Sequence, residues 1–172
     1  MNYAVIKPYD ISNGPGVRVS LFVSGCTHRC RGCFNSEAWD FDYGLPYTPQ
    51  TEDRIMQLLA PGYISGLSLL GGEPFEPANQ PALAALVRRT RETYPQKNVW
   101  CYTGYLFEDI AAGRVGDPDT AMSLLRGVDV LVDGPFVQEL KDISLIFRGS
   151  ANQRIIDVKE SLRRGKAALY TL

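Results

Sequence analysis

A chain of 172 residues that is 45% hydrophobic and carries 18 Lys and Arg against 19 Asp and Glu is a globular sequence, outside the disordered class of low hydrophobicity and high net charge. Its net charge of −1 removes the basic footprint of a nucleic-acid binder. Met1 to Asp10 lacks the basic and apolar regions of a signal peptide, and no apolar run approaches the ~18 residues of a membrane span, so a soluble, cytoplasmic, single-domain protein spanning residues 1–172 is expected.

In chain order, Val17 to Val23 is the first expected strand, with Val17, Val19, Leu21 and Val23 on one face. A loop rich in cysteine follows it. Thr48 and Pro49 start a helix as N-cap and first helical residue, and that helix ends near Pro61-Gly62. Leu67 to Leu70 is a short strand running into Gly71-Gly72-Glu73-Pro74. A helix from about Pro81 carries Leu83, Leu86, Val87, Thr90 and Tyr94 at helical spacing. Asn98 to Tyr102 is a strand ending in Thr103-Gly104. Helical segments are expected over Leu106–Ala112 and Thr120–Leu125, separated by a turn-rich stretch from Gly113 to Asp119. Val128 to Val132 is the fourth strand, closing at Asp133-Gly134-Pro135, and Arg154 to Val158 the last, with a basic helix or tail after it. Strands alternating with helices indicate a parallel α/β fold. Ligands in such folds sit beyond the C-terminal strand ends, where four of these loops fall on one rim. The aromatics Tyr3, Tyr9 and Phe22 are assigned to the core.

The loop Cys26-Thr-His-Arg-Cys-Arg-Gly-Cys33 carries three thiols at Cys-x3-Cys-x2-Cys spacing. Cysteine thiolate is the usual ligand of iron–sulfur clusters, and full ligation takes four. Three on one loop hold three corners of a [4Fe–4S] cube and leave one iron open, as catalytic metal sites keep a position open. Such an iron suits reductive chemistry on a small molecule. Zinc sites usually pair ligands in two separated knuckles, whereas this chain has one knuckle and one further cysteine, Cys101. His28, the single histidine, lies inside the loop, where a Cys3His set would crowd a tetrahedral ion. Zinc therefore stands as the alternative. Disulfides between thiols so close in sequence, in a chain with no sign of secretion, are disfavoured.

Gly71 and Gly72 let the backbone approach a ligand or take φ > 0 without a Cβ. Carbonyls there suit an ammonium group, and Glu73 would add charge assistance; an ordinary tight turn is the plain alternative. The chain shows no acid–base dyad, so no acid or base catalyst is assigned. Cys101 is read as a buried strand cysteine, and Asp133 as a ribose contact or strand-end turn residue.

The three-cysteine loop followed by Gly-Gly-Glu-Pro resembles the core of the radical S-adenosylmethionine superfamily. Asn13-Gly-Pro-Gly16 is similar to the glycyl-radical-enzyme activases. Phe22 to Cys26, Val132 to Phe136 and Phe147 to Arg154 resemble the activating proteins of anaerobic ribonucleoside-triphosphate reductases, a likeness running from about Asn2 to Asp157. The resemblance implies an abbreviated, open parallel (β/α) partial barrel of about five to six strands, since a full barrel takes around 250 residues. It implies Cys26, Cys30 and Cys33 as ligands of three irons of a [4Fe–4S] cluster, with the methionyl amino and carboxylate groups of S-adenosylmethionine on the fourth. Gly32, Cys33 and Phe34 would line that cofactor, Phe34 near the adenine. Gly71, Gly72 and Glu73 would receive the methionyl ammonium, with further contacts from Asp133 and Asn152, while His28 would tune the surroundings of the cluster. The implied reaction is reductive cleavage to a 5′-deoxyadenosyl radical that takes hydrogen from a glycine Cα of the partner reductase. A low-potential donor such as flavodoxin or ferredoxin would supply the electron. An unclosed barrel would admit a glycine loop of that partner through a wide mouth. Activation of another glycyl radical enzyme, such as a formate lyase, is the alternative within the class; a zinc or iron–sulfur binding module without radical chemistry is the alternative outside it. Residues 157–172 match no block of the family, and their role is open: Arg163-Arg164-Gly-Lys166 is a solvated basic tail or a docking element.

Overall fold

In the computed structural model, which describes residues 1–172, strands β1 (Asn2–Asp10), β2 (Val17–Val23), β3 (Leu45–Pro46), β4 (Ile64–Gly71), β5 (Asn98–Tyr102), β6 (Val130–Asp133) and β7 (Arg154–Asp157) form one sheet in the order β3-β1-β2-β4-β5-β6-β7. The central four, β2, β4, β5 and β6, run parallel. Helices α1 (Pro49–Leu59), α2 (Gln80–Thr93), α3 (Phe107–Ala111) and α4 (Pro118–Gly127) make their crossovers, and α5 (Val158–Arg164) follows β7.

The expected all-parallel sheet of five to six strands is corrected at both edges. β1 pairs antiparallel with β2, β3 with β1, and β7 with β6. β1 escaped the sequence reading because its pattern is weak: only Tyr3, Ile6 and Asp10 are buried, and Pro8 interrupts the apolar run. Pro8 is tolerated because β1 lies outside the parallel centre and is covered beyond Tyr3 by no further strand. An antiparallel neighbour needs only a short loop, whereas a parallel one needs a helix-length crossover. Tyr3 and Phe22 are buried as expected, but Tyr9 is 67% exposed and tilts against Tyr63.

The main core lies between the sheet and its helices and includes Val19, Leu21 and Val23 of β2, Leu67 and Leu69 of β4, and Leu83, Leu86, Leu124 and Leu125. The opposite face of β2 is also buried, and there it carries Arg18 and Ser20; central parallel strands are covered on both faces. Trp100, Val130, Val132 and Ile155 form a second apolar cluster, joined by Tyr102, Phe147 and Tyr170.

Local signals set the helix ends. The Thr48 side chain accepts a hydrogen bond from Thr51 N, with the reciprocal bond completing a capping box around Pro49. α4 begins two residues before the expected Thr120, because Asp117 Oδ1 accepts from Thr120 N at 2.8 Å and caps it. After Asp157 caps α5 and Gly165 ends it at φ 67°, the tail returns along β7. Tyr170 N donates to Ile155 O, and the Tyr170 ring stands edge-on to Trp100 at 5.7 Å. The last residues thus cover the second cluster.

Candidate functional site

Every parallel strand delivers a loop to one rim, as expected. A cavity of about 400 Å³ opens there, lined by Cys26 after β2, Gly72 after β4, Thr103 after β5 and Gly134 after β6, with Phe147 closing one side.

The cysteine loop is fixed at its base by backbone bonds to the loop after β4. Gly72 N donates to Val23 O at 2.7 Å and Glu73 N to Gly25 O at 2.8 Å. Such a close approach excludes a side chain at Gly71, whose φ is 111° and whose Cβ would stand 2.6 Å from Val23 O. Cys33 N donates to Cys30 O at 3.1 Å, and the turn takes positive φ at Arg29 and Gly32. Cys26, Cys30 and Cys33 are free thiols that all line the cavity. Asn35 N donates to Cys33 Sγ at 3.4 Å. Burial, with Glu73 and Glu76 nearby, pushes the Cys26 thiol up to about 11, against hydrogen bonds from the backbone of His28 and Arg29. Loading a metal there releases a proton.

Glu73 is 1% exposed, and both its oxygens are engaged. Oε1 accepts from Phe75 N and Thr103 Oγ1, each at 2.8 Å; Oε2 accepts from Gly104 N at 2.7 Å and faces His28 Nε2 at 3.0 Å. A carboxylate has about four lone-pair positions, and all four are filled. The Glu73 side chain also lines the cavity, beside Gly71 and Gly72. The hydrogen bond to Glu73 raises the pKa of His28 above that of ordinary imidazole, against its burial.

Gly32, Phe34, Gly71 and Gly72 line the cavity with the cysteines. Phe34 stands 87% exposed at its mouth. Asp133 and Asn152 do not line it. Asp133 is fully buried, accepting from Phe107 N at 2.8 Å and from Arg154 Nε at 2.9 Å, which pins the start of α3. Asn152 is exposed and donates to Pro135 O at 2.8 Å. Both hold the turn that puts Gly134 on the rim.

The sequence reading missed Tyr102 and the segment Lys141–Leu145, which also borders the cavity. Tyr102 lines the cavity, and its buried hydroxyl has no hydrogen-bond partner; burial pushes that phenol up. Its signal was the alternation in β5, which sets Trp100 and Tyr102 opposite Cys101. The segment left no periodic trace.

Two observations favour a cluster with a polar small molecule beside it. The donor set is three soft thiols from one loop, a set suited to iron–sulfur ligation, and an unpaired buried phenol awaits a partner in the same cavity. The structure gathers no group of three or more His, Cys, Asp and Glu side chains into a site for a metal ion. Cys101 is fully buried in β5 and does not line the cavity. Cys101→Ala is therefore expected to keep the wild-type iron content after anaerobic reconstitution, while losing about 1 kcal/mol of stability to the vacated volume. Iron analysis and urea unfolding check both parts.

A family model described as a 4Fe-4S single cluster domain matches residues 12–156. The anaerobic ribonucleoside-triphosphate reductase-activating protein of Escherichia coli (strain K12) is 46% identical over 155 residues, 89% of this chain and 96% of its own. The protein of that name from Vibrio cholerae serotype O1 is 45% identical over 157 residues, covering 90% and 97%. That from Enterobacteria phage T4 is 41% identical over 155 residues, covering 90% and 93%.

Proposed function

The chain belongs to the family of anaerobic ribonucleoside-triphosphate reductase-activating proteins and carries its 4Fe-4S single cluster domain, and on that premise we propose that it is a radical S-adenosylmethionine activase that places a glycyl radical on this reductase. The observation that carries the reading is the convergence of Cys26, Cys30 and Cys33 with Gly71 and Gly72 on one cavity, with the fourth cysteine kept out of it. When bound, the cluster and S-adenosylmethionine supply a 5′-deoxyadenosyl radical able to take hydrogen from a glycine Cα.

The chain's own residues do the rest. Cys26, Cys30 and Cys33 would hold the cluster through their thiolates, one fewer than full ligation takes. Gly71 and Gly72 offer backbone to the methionyl end; the Gly72 carbonyl takes no hydrogen bond from this chain. Gly32 and Phe34 border the adenosyl end at the mouth. Asp133 and Asn152 serve the site by holding the Gly134–Pro135 turn against it. In this reading the sheet is an open partial barrel, its mouth faces the reductase, and residues 1–172 act as one domain. A low-potential flavodoxin or ferredoxin supplies the electron. No helix is long and apolar enough to cross a membrane, and we place the protein in the cytoplasm.

Anaerobic reconstitution with iron and sulfide, reduction and addition of S-adenosylmethionine test this. The expected product is 5′-deoxyadenosine, formed slowly alone and faster with the reductase. A fully loaded, reduced protein that forms none in the presence of the reductase would refute the reading.

A further inference from the structure

The carboxylates after β4 grip the cysteine loop from below. Thr27 N and Oγ1 donate to Glu76 Oε1 at 2.7 and 2.6 Å, and His28 Nε2 meets Glu73 Oε2 at 3.0 Å. The His28 ring is wedged between the loop after β5 and its neighbour. It stands edge-on to Tyr105 at 4.4 Å between centroids, and a Cβ at Gly104 would come within 2.6 Å of it. Glu73 also takes Thr103 Oγ1 and Gly104 N. One buried carboxylate therefore ties together three loops: the cysteine loop, its own, and the loop after β5.

We propose that Glu73 and His28 are positioning residues, a clamp that holds the cysteine loop in its cluster-binding shape, and that the Glu73 carboxylate does not itself bind S-adenosylmethionine. Four donors from this chain fill its lone pairs, and an ammonium group would have to displace one of them. Residues that orient metal ligands from behind set metal affinity by about 10- to 100-fold. His28 stands between Cys26 and Cys30, so losing its anchor frees the segment that spaces two of the three thiols. The inference rests on the cluster reading of the site, but the clamp is measurable without a cluster.

The test uses the full chain with His28→Phe, which keeps the ring against Tyr105 but removes the donor, His28→Gln, whose amide reaches the same oxygen, and Glu73→Gln. In the metal-free chain, iodoacetamide labelling of buried Cys26 is expected to speed up about tenfold in His28→Phe through local opening and to return towards wild type in His28→Gln. After anaerobic reconstitution, His28→Phe is expected to retain iron about tenfold less tightly and to change the EPR line shape of the reduced cluster. Affinity for S-adenosylmethionine per loaded cluster should not change. Gly104→Ala, which pushes the ring from the other side, should reproduce the labelling effect and covers the case in which His28→Phe does not fold. Unchanged Cys26 labelling in both His28→Phe and Gly104→Ala would overturn the clamp. So would a Glu73→Gln chain that keeps its iron but binds S-adenosylmethionine more weakly. Wild type that shields Cys26 through this pair yet builds no cluster responsive to S-adenosylmethionine would support the clamp and count against the proposed function alone.

Discussion

Cys30→Ala is expected to abolish cluster retention and 5′-deoxyadenosine formation while leaving the metal-free fold intact. Cys30 sits half-buried at the turn of the cysteine loop, and the bond that shapes this turn runs from Cys33 N to the Cys30 backbone oxygen. Alanine keeps that bond and the main core, so stability of the metal-free chain should move by less than about 1 kcal/mol. The chemistry has no such reserve. Three thiolates already fall one short of full ligation, and Cys101 lies buried away from the cavity. With two thiolates, retained iron should drop from about four per chain to near zero, and product to about a hundredth of wild type or less. Iron and sulfide analysis beside product chromatography reads both. A variant that holds a wild-type cluster would remove Cys30 from the ligand set.

Arg18→Ala is expected to be the most damaging single change to the fold itself. Arg18 is fully buried near the start of β2, on the sheet face opposite the helices, and no carboxylate pairs with it. Its guanidinium donates to Ser68 Oγ at 2.7 Å, Asn98 Oδ1 at 2.7 Å and Leu67 O at 2.8 Å, and lies over the Trp100 ring. Burial lowers its pKa to about 10, against distant favourable charges. The group thus joins β2, β4 and β5 by one planar fork. Alanine removes the donors, strands their acceptors in a dry interior and opens a void, a combination that costs roughly 3 to 5 kcal/mol. Lysine should rescue little, because a single ammonium cannot reproduce the fork. Urea unfolding of the metal-free protein checks this through a lower midpoint at unchanged slope. A loss below about 1 kcal/mol would show that the acceptors find other partners.

The parallel centre was readable because its strands are dense apolar runs and each helix announces itself by periodicity or by a cap, as Thr48-Pro49 does. β1 was not, since Tyr3 and Ile6 alone mark its inner face and Pro8 breaks the run. The tail was equally silent: what holds it are backbone bonds between Asp157 N and Ala168 O and between Tyr170 N and Ile155 O, a bond from Ala168 N to Ser161 Oγ, and the ring contact of Tyr170 with Trp100, none of which leaves a pattern. In the site, residues close together in the chain were legible and residues brought together by folding were not. The cysteine spacing located the cavity. Glu73 was recognised as important, but its four donors, which come from residues 28, 75, 103 and 104, left no sign in the spacing. Asp133 and Asn152 sit beside the rim in sequence, yet Arg154, Phe107 N and Pro135 O claim their side chains. Spacing gives proximity along the chain; it does not say which polar group is already satisfied.

Formation by this chain of a glycyl radical on anaerobic ribonucleoside-triphosphate reductase is read by EPR of the two proteins mixed without oxygen. The reconstituted chain, a low-potential reductant and S-adenosylmethionine are added to the reductase, and the spectrum of the reductase is recorded. A glycyl doublet that needs all three additions, vanishes with Cys30→Ala and is lost when the reductase's radical glycine is replaced by alanine is the predicted result. A chain that carries its cluster and forms 5′-deoxyadenosine but leaves the reductase without that doublet would contradict the account.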